Sequence, residues 1–196
     1  MLFRSLINQT ISKLNFDSIP NDKTIVVESV RPEGTIVLHA CFGTKINSTI
    51  ATLLSSMLSS MLGYLVESRS DAYRIVLSSK SRISEKLLIQ VLKDDYDLPS
   101  IIGASLSGTH NVNWRTWCVA KKFGTVGREA IYERKSARFL YDRYSKTPLV
   151  KESLRELFHD KYDLEGTEKI LQKIRNNEIE INWNDSEKFS KLAIPI

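Results

Sequence analysis

The residues of this 196-residue chain best suited to chemistry lie between Asn113 and Tyr144. Trp114, Trp117, Phe123, Tyr132, Phe139, Tyr141 and Tyr144 alternate there with Arg115, Lys121, Lys122, Arg128, Arg134, Lys135, Arg138 and Arg143. Cations attract phosphates. An exposed ring offers a flat face to an unpaired base, worth about 1–3 kcal/mol per base. The chemistry in view is capture of a single-stranded polyanion. Each feature also has a purely structural explanation. Lys121 and Lys122 fall in the last turn of a helix, where they balance its dipole. A tryptophan commonly fills a core. Trp114 and Trp117 are three apart and share a helix face, so one is expected inside and one nearer the surface. The spacing does not say which.

The charge follows the aromatics. The net charge is +5, but residues 110–146 hold 9 basic and 3 acidic side chains. Residues 1–109 hold 11 and 10, and residues 147–196 hold 8 and 10. One short stretch therefore carries the whole excess, as a polyanion-binding face would.

Motifs for catalysis are missing from the sequence. Gly43-Thr44-Lys45 has letters of a phosphate-binding loop in the wrong order, and no glycine-rich nucleotide cradle follows a strand. There is no GxSxG elbow and no HExxH. His39 and Cys41 fall on one side of a predicted strand, but no second ligand pair follows, so no metal site is expected. Asp94, Asp95 and Asp97 precede Pro99, where a cap and turn accounts for them. No catalytic residue is assigned, and a binding module is expected rather than an enzyme. Cys41 and Cys118 form no CxxC pair and read as free thiols of a reducing, cytoplasmic compartment. Arg4, Asn8 and Gln9 break any secretory pattern. Residues 46–66 are uncharged and long enough for a membrane span. Their many Ser, Thr and Asn residues read instead as a buried helix.

The elements that position these residues follow from periodicity. Residues 1–22 read as a helical or irregular lead-in. Lys23–Val30 and Gly34–Ala40 are rich in β-branched residues and flank Arg31-Pro32-Glu33-Gly34, predicting an antiparallel hairpin. Ser70–Ser78 is expected as a third strand. Thr44–Val66 reads as a long helix with one apolar stripe and a Ser-rich opposite side. A helix capped by Ser81 or Ser84 follows, then one capped by Asp97 with Pro99 near its start. Further helices are expected over about Asn111–Phe123 and Glu133–Tyr144, after Thr147-Pro148, and from Asp163. Glu178–Asn182 alternates like a short edge strand, and residues 183–196 read as a tail. The fold class expected is α+β: a small antiparallel sheet packed on a long helix over about 23–80, then a helical part over about 81–182.

Several segments in series resemble a known family. His39-Ala40-Cys41-Phe42-Gly43-Thr44-Lys45-Ile46-Asn47-Ser48-Thr49 is similar to a histidine strand, CFG, then a polar residue, N and T. Ser70-Asp71-Ala72-Tyr73-Arg74-Ile75 resembles S-D-P-Y-R-I, with Ala72 for the proline. Asn113 to Gly124 resembles W-R-F-x-x-V-A-[KR]-[KR]-F-G, with Thr116 for the aromatic. Residues 146–156 and 163–180 resemble the terminal stretches. The family is the C-terminal, DEAD/H-associated part of the Lhr (large helicase-related) superfamily-two helicases, archaeal-like in type. The resemblance covers about residues 23–182.

The resemblance implies an accessory domain that helps close a channel for single-stranded nucleic acid, in DNA repair or nucleic-acid remodelling. The chain is expected to be either a fragment or a stand-alone relative. ATP and magnesium would be bound by motor lobes that it lacks, and it needs no cofactor itself. Single-stranded DNA or RNA is the expected partner, with helicase lobes or a helicase subunit, and no membrane. Trp114 is aligned with the family's W-R pair and is expected to stack on a base. Arg115, Lys121, Lys122, Arg128, Arg134 and Arg138 would contact phosphates, and Arg74 and Tyr73 would do so or buttress the sheet. Removing Lys121 and Lys122 together is expected to lower the salt slope by about one to two. The alternative is a protein–protein module that binds a helicase or repair factor, through the Ser-rich helix face, without binding nucleic acid.

Overall fold

The computed structural model describes residues 20–30, 34–186, 188–190 and 193. Most of the expected lead-in, the centre of the first turn and much of the tail lie outside them. The chain divides into two compact units. One comprises residues up to Tyr96 and those from Glu165 on, and the other runs from Asp97 to Leu164. Two helices expected in a separate helical part therefore belong with the sheet.

The first unit is built on a five-stranded sheet. β1 (Thr24–Val30) pairs antiparallel with β2 (Thr35–His39), and β2 pairs antiparallel with β4 (Arg74–Ser78). β4 pairs with β3 (Glu67–Ser70), and β5 (Glu180–Ser186) lies parallel to β1. The order is β3-β4-β2-β1-β5. The α+β class is that of the structure, but its sheet is larger than expected and mixed. The expected third strand is β4, β3 before it is an additional strand, and the expected edge strand runs on to Ser186.

Helix α1 (Thr44–Leu62) packs over the β3–β4 end of the sheet. Its Leu53, Leu54 and Leu58 are fully buried, as are Ile75 and Leu77 of β4. Burial of a leucine or isoleucine contributes about 1.5–3 kcal/mol each. The helix ends at Gly63, where the Gly63-Tyr64 pair marks an end within the expected Thr44–Val66 span: Gly63 takes the left-handed conformation, φ 73°, and returns its N–H to Ser59. The Ser-rich side of α1 is not free. Ser55 Oγ donates to Val66 O at 2.6 Å, Ser59 Oγ accepts from Val66 N at 2.9 Å, and Ser48 meets Ser70. These serines hold the approach to β3. α2 (Glu85–Lys93) has Ser84 as its N-cap. Gly34 is required where it stands, because a Cβ there would lie 2.2 Å from Ser79 O.

The second unit is helical: α3 (Leu98–Leu106), α4 (His110–Lys122), α5 (Arg134–Arg143) and α6 (Pro148–Lys161). Asp97 caps α3, with Pro99 in its first turn. α4 packs on α5 and α6 around Val119, Ala120, Leu149 and Val150. α7 (Leu164–Arg175) leads back to β5. Among the described residues no helix is long and apolar enough to cross a membrane.

Candidate nucleic-acid interface

The first two family-like segments meet in the first unit. Ala40 N donates to Tyr73 O at 2.8 Å, and Gly43 N donates to Ala72 O at 3.1 Å. Asn47, fully buried, donates from Nδ2 to Ala40 O at 2.7 Å and Asp71 O at 2.9 Å. Asp71 Oδ1 accepts from Tyr73 N and Arg74 N, so the aspartate holds the turn in which Ala72 stands for a proline. Arg74 is clamped to Asp71 Oδ2 through Nε at 3.0 Å and a terminal nitrogen at 2.7 Å. Burial would raise the Asp71 carboxyl, but Arg74 and the two amides outweigh it and hold it low. This is a joint between strand ends and a helix start. Arg74 buttresses it, whereas Tyr73 is 68% exposed.

The same unit holds a buried pair. His39 Nε2 and Glu28 Oε1 lie 2.6 Å apart. Ser190 donates to Glu28 from its backbone N at 2.8 Å and from its hydroxyl at 2.6 Å. Burial pushes the Glu28 carboxyl up, but the bonds to His39 and Ser190 outweigh that and hold it below its ordinary 4.5. His39 thus faces a carboxylate on β1. Among the described residues no group of three or more His, Cys, Asp or Glu is placed to hold a metal.

The remaining expected site residues all lie in the second unit. Thr109 caps α4 by accepting from Val112 N, and Gly124 follows its end at φ 71°. The structure decides between the tryptophans. Trp117 is buried at 7% exposure, and Trp114 is exposed at 47%. Tyr132, in the loop before α5, touches both edge-on. Its ring lies 4.8 Å from Trp114 and 5.9 Å from Trp117. Trp114 is thus braced by Tyr132 and keeps about half of its surface exposed. Tyr132 was not among the expected site residues, and only its place in the aromatic run hinted at it.

The cations divide by what holds them. Arg115 bonds to Glu156 Oε2 at 3.1 Å and to Asp160. Lys122 Nζ reaches Glu156 Oε1 at 2.7 Å. Lys122, then Arg115, hold the Glu156 carboxyl below its ordinary range against the effect of burial. Lys121 Nζ donates to Arg128 O at 2.8 Å and closes the loop against α4. Arg138 has only a loose pair with Asp142 at 3.8 Å. Arg128, Arg134 and Lys135 are exposed, with no ion pair among the described residues. Ala137 is the one buried residue of α5.

Residues 19–193 match the DEAD/H-associated family model. The chain belongs to the DEAD/H-associated family. It is 24% identical over 195 residues to ATP-dependent helicase Lhr-Core protein 2 of Thermococcus barophilus, covering 91% of this chain and 22% of that protein. It is similar in fold to the helicase Lhr of Mycobacterium smegmatis, solved bound to ssDNA and AMP-PNP, with a TM-score of 0.71 and 20% identity. That likeness covers 89% of this chain and 24% of the helicase. The chain therefore spans about a quarter or less of these relatives. As a DEAD/H-associated domain it corresponds to a region beside the motor of such helicases rather than to the motor itself.

Proposed function

We propose that this DEAD/H-associated domain binds single-stranded nucleic acid as an accessory part of an Lhr-type helicase. The observation that carries the reading is Trp114, braced by the Tyr132 ring and still about half exposed. It lies on the unit that contains the basic stretch of residues 110–146. Trp114 stacks on a base. Arg128, Arg134 and Arg138 take phosphates, Lys121 adds its charge beside Arg128, and Arg115 and Lys122 remain in their carboxylate pairs. Arg74 and Tyr73 act at the joint of the first unit. ATP and magnesium belong to motor lobes outside this chain, working with it in a reduced cytoplasmic setting on DNA repair or remodelling substrates. The fold similarity to a helicase bound to ssDNA supports this reading.

A salt series of binding to labelled single strands tests it. Affinity that falls linearly with log salt, and drops on Trp114→Ala, is expected. No affinity at low salt would refute it. Parallel DNA and RNA strands separate the two substrates. Exposed Ile131 and Phe123, at 89% and 54%, favour a second reading, a docking surface for a helicase subunit or repair factor. Co-purification with such a subunit, without nucleic-acid affinity, would select it. On the Ser-rich face of α1, Ser48, Ser55 and Ser59 are already bonded inside the first unit.

A further inference from the structure

Phe139 is 60% exposed on α5, among outward residues that are almost all polar or charged. A groove of about 410 Å³ opens beside it, lined by Trp117, Val126, Lys135, Ser136, Phe139 and Leu140. That size is within the ~300–1,000 Å³ of small-ligand sites. The floor is fixed. Trp117 is buried, and Val126 and Leu140 pack on the core of the unit. Val126 N also bonds to Ala120 O at 3.2 Å. One hydroxyl enters: Ser136 Oγ donates to Glu133 Oε2 at 2.7 Å and keeps its lone pairs for an acceptor role. The rim is cationic. Lys135 lines the groove, and the Arg143 guanidinium carbon lies 5.9 Å from the Phe139 ring centre.

An aromatic wall, an apolar floor, one hydroxyl and a cationic rim suit a planar heterocycle tied to an anion. Charge decides the occupant. α5 carries Arg134, Lys135, Arg138 and Arg143 against Asp142 alone. The groove is therefore complementary to a polyanion with flat apolar units. We propose that it is a second nucleobase pocket, distinct from Trp114. One base of a single strand stacks on Phe139 over the Trp117 floor, and Lys135 meets the adjoining phosphate. This rests on the single-strand-binding reading above.

The test uses the full chain, an oligothymidylate of about 12 nucleotides and an abasic backbone of equal length. Phe139→Ala is expected to weaken oligothymidylate binding by about fivefold or more, with the abasic affinity and the salt slope unchanged. Phe139→Tyr is expected to retain affinity, and Phe139→Leu to lose it like alanine. Full retention by leucine would make the groove a plain apolar docking site and overturn the proposal. If Phe139→Ala changes nothing while Trp114→Ala weakens binding, the pocket is refuted and the broader function stands. If the unaltered chain does not bind the oligothymidylate, both fail. Phe139 is largely exposed, so an unchanged melting curve is the expected check on folding.

Discussion

Replacing Arg134 and Lys135 with alanine is expected to flatten the salt dependence of single-strand binding, whereas replacing Arg115 and Lys122 is not. Each phosphate neutralised on a single strand contributes about 0.7 to the slope of log affinity against log salt. Arg134 and Lys135 are exposed and unpaired among the described residues, so their loss should lower the slope by about 1.4. Between about 50 and 200 mM salt, the unaltered chain then loses about sevenfold more affinity than the double variant. Arg115 and Lys122 start from a different state. With Glu156 and Asp160 they form a set whose charges sum to zero. Turning either to a phosphate breaks a bond already made. Arg115→Ala with Lys122→Ala should leave the slope unchanged and cost about 1 kcal/mol of stability, as partly exposed pairs do. Glu156→Gln should act in the opposite sense. It releases Lys122 while Asp160 keeps Arg115, and the slope should steepen by about 0.7. Fluorescence anisotropy of a labelled strand over a salt series reads all three slopes. Equal flattening by both double variants would refute the division into free and held cations. The drop of one to two expected for Lys121 and Lys122 from sequence shrinks for the same reason, because Lys122 is held and Lys121 alone contributes.

Trp114→Ala should weaken single-strand binding by about 1–3 kcal/mol with an unchanged slope. Trp117→Ala should instead cost about 3–5 kcal/mol of folding stability, seen as a fall in the urea midpoint. Glu28 sets an acid limit. Its folded pKa is depressed, so its contribution is present above the ordinary 4.5 and is lost as pH falls through the lower folded value. Melting midpoints should drop on acidification below about 4.5, and Glu28→Gln should remove that part of the drop. Asn47→Ala strips the Ala40 and Asp71 carbonyls of a donor, and a loss of about 2 kcal/mol or more is expected in urea unfolding at constant m.

Much of the first unit was legible because its signals are local. The β-branched runs mark β1 and β2, and Ser84, one of the two expected caps, caps α2. β3 was not legible. Its residues, Glu-Ser-Arg-Ser, show no apolar alternation, and the strand is held by serines arriving from α1 and by pairing to β4. The parallel place of β5 is set by pairing with a strand more than 150 residues earlier, which no local pattern encodes. At the site, the aromatic and cationic stretch was legible as a whole. The choice between the tryptophans needed Tyr132, and the state of each cation needed the carboxylates of α6. Phe139 was within reach of helical geometry. It stands two residues from Ala137 and so on the other side of α5.

The family-like segments carry less of the proposed binding site than their specificity suggests. Residues 39–49 and 70–75 direct Asn47, Asp71 and Arg74 at one another and at strand ends. Within 113–124, Trp117, Val119 and Ala120 fill the core, and Trp114 turns outward while Arg115 and Lys122 meet α6. Such residues preserve the fold whatever strand is bound. Arg128, Arg134, Lys135 and Phe139 lie outside these segments, on a loop and a helix face where their side chains are exposed. A relative can keep every segment of the resemblance and still differ in what it grips. Exchanging residues 125–146 for those of another family member is therefore expected to carry over that member's preference for DNA or RNA. The urea transition should remain single and cooperative. Preference that stays with the recipient would place the discriminating contacts on α4 instead.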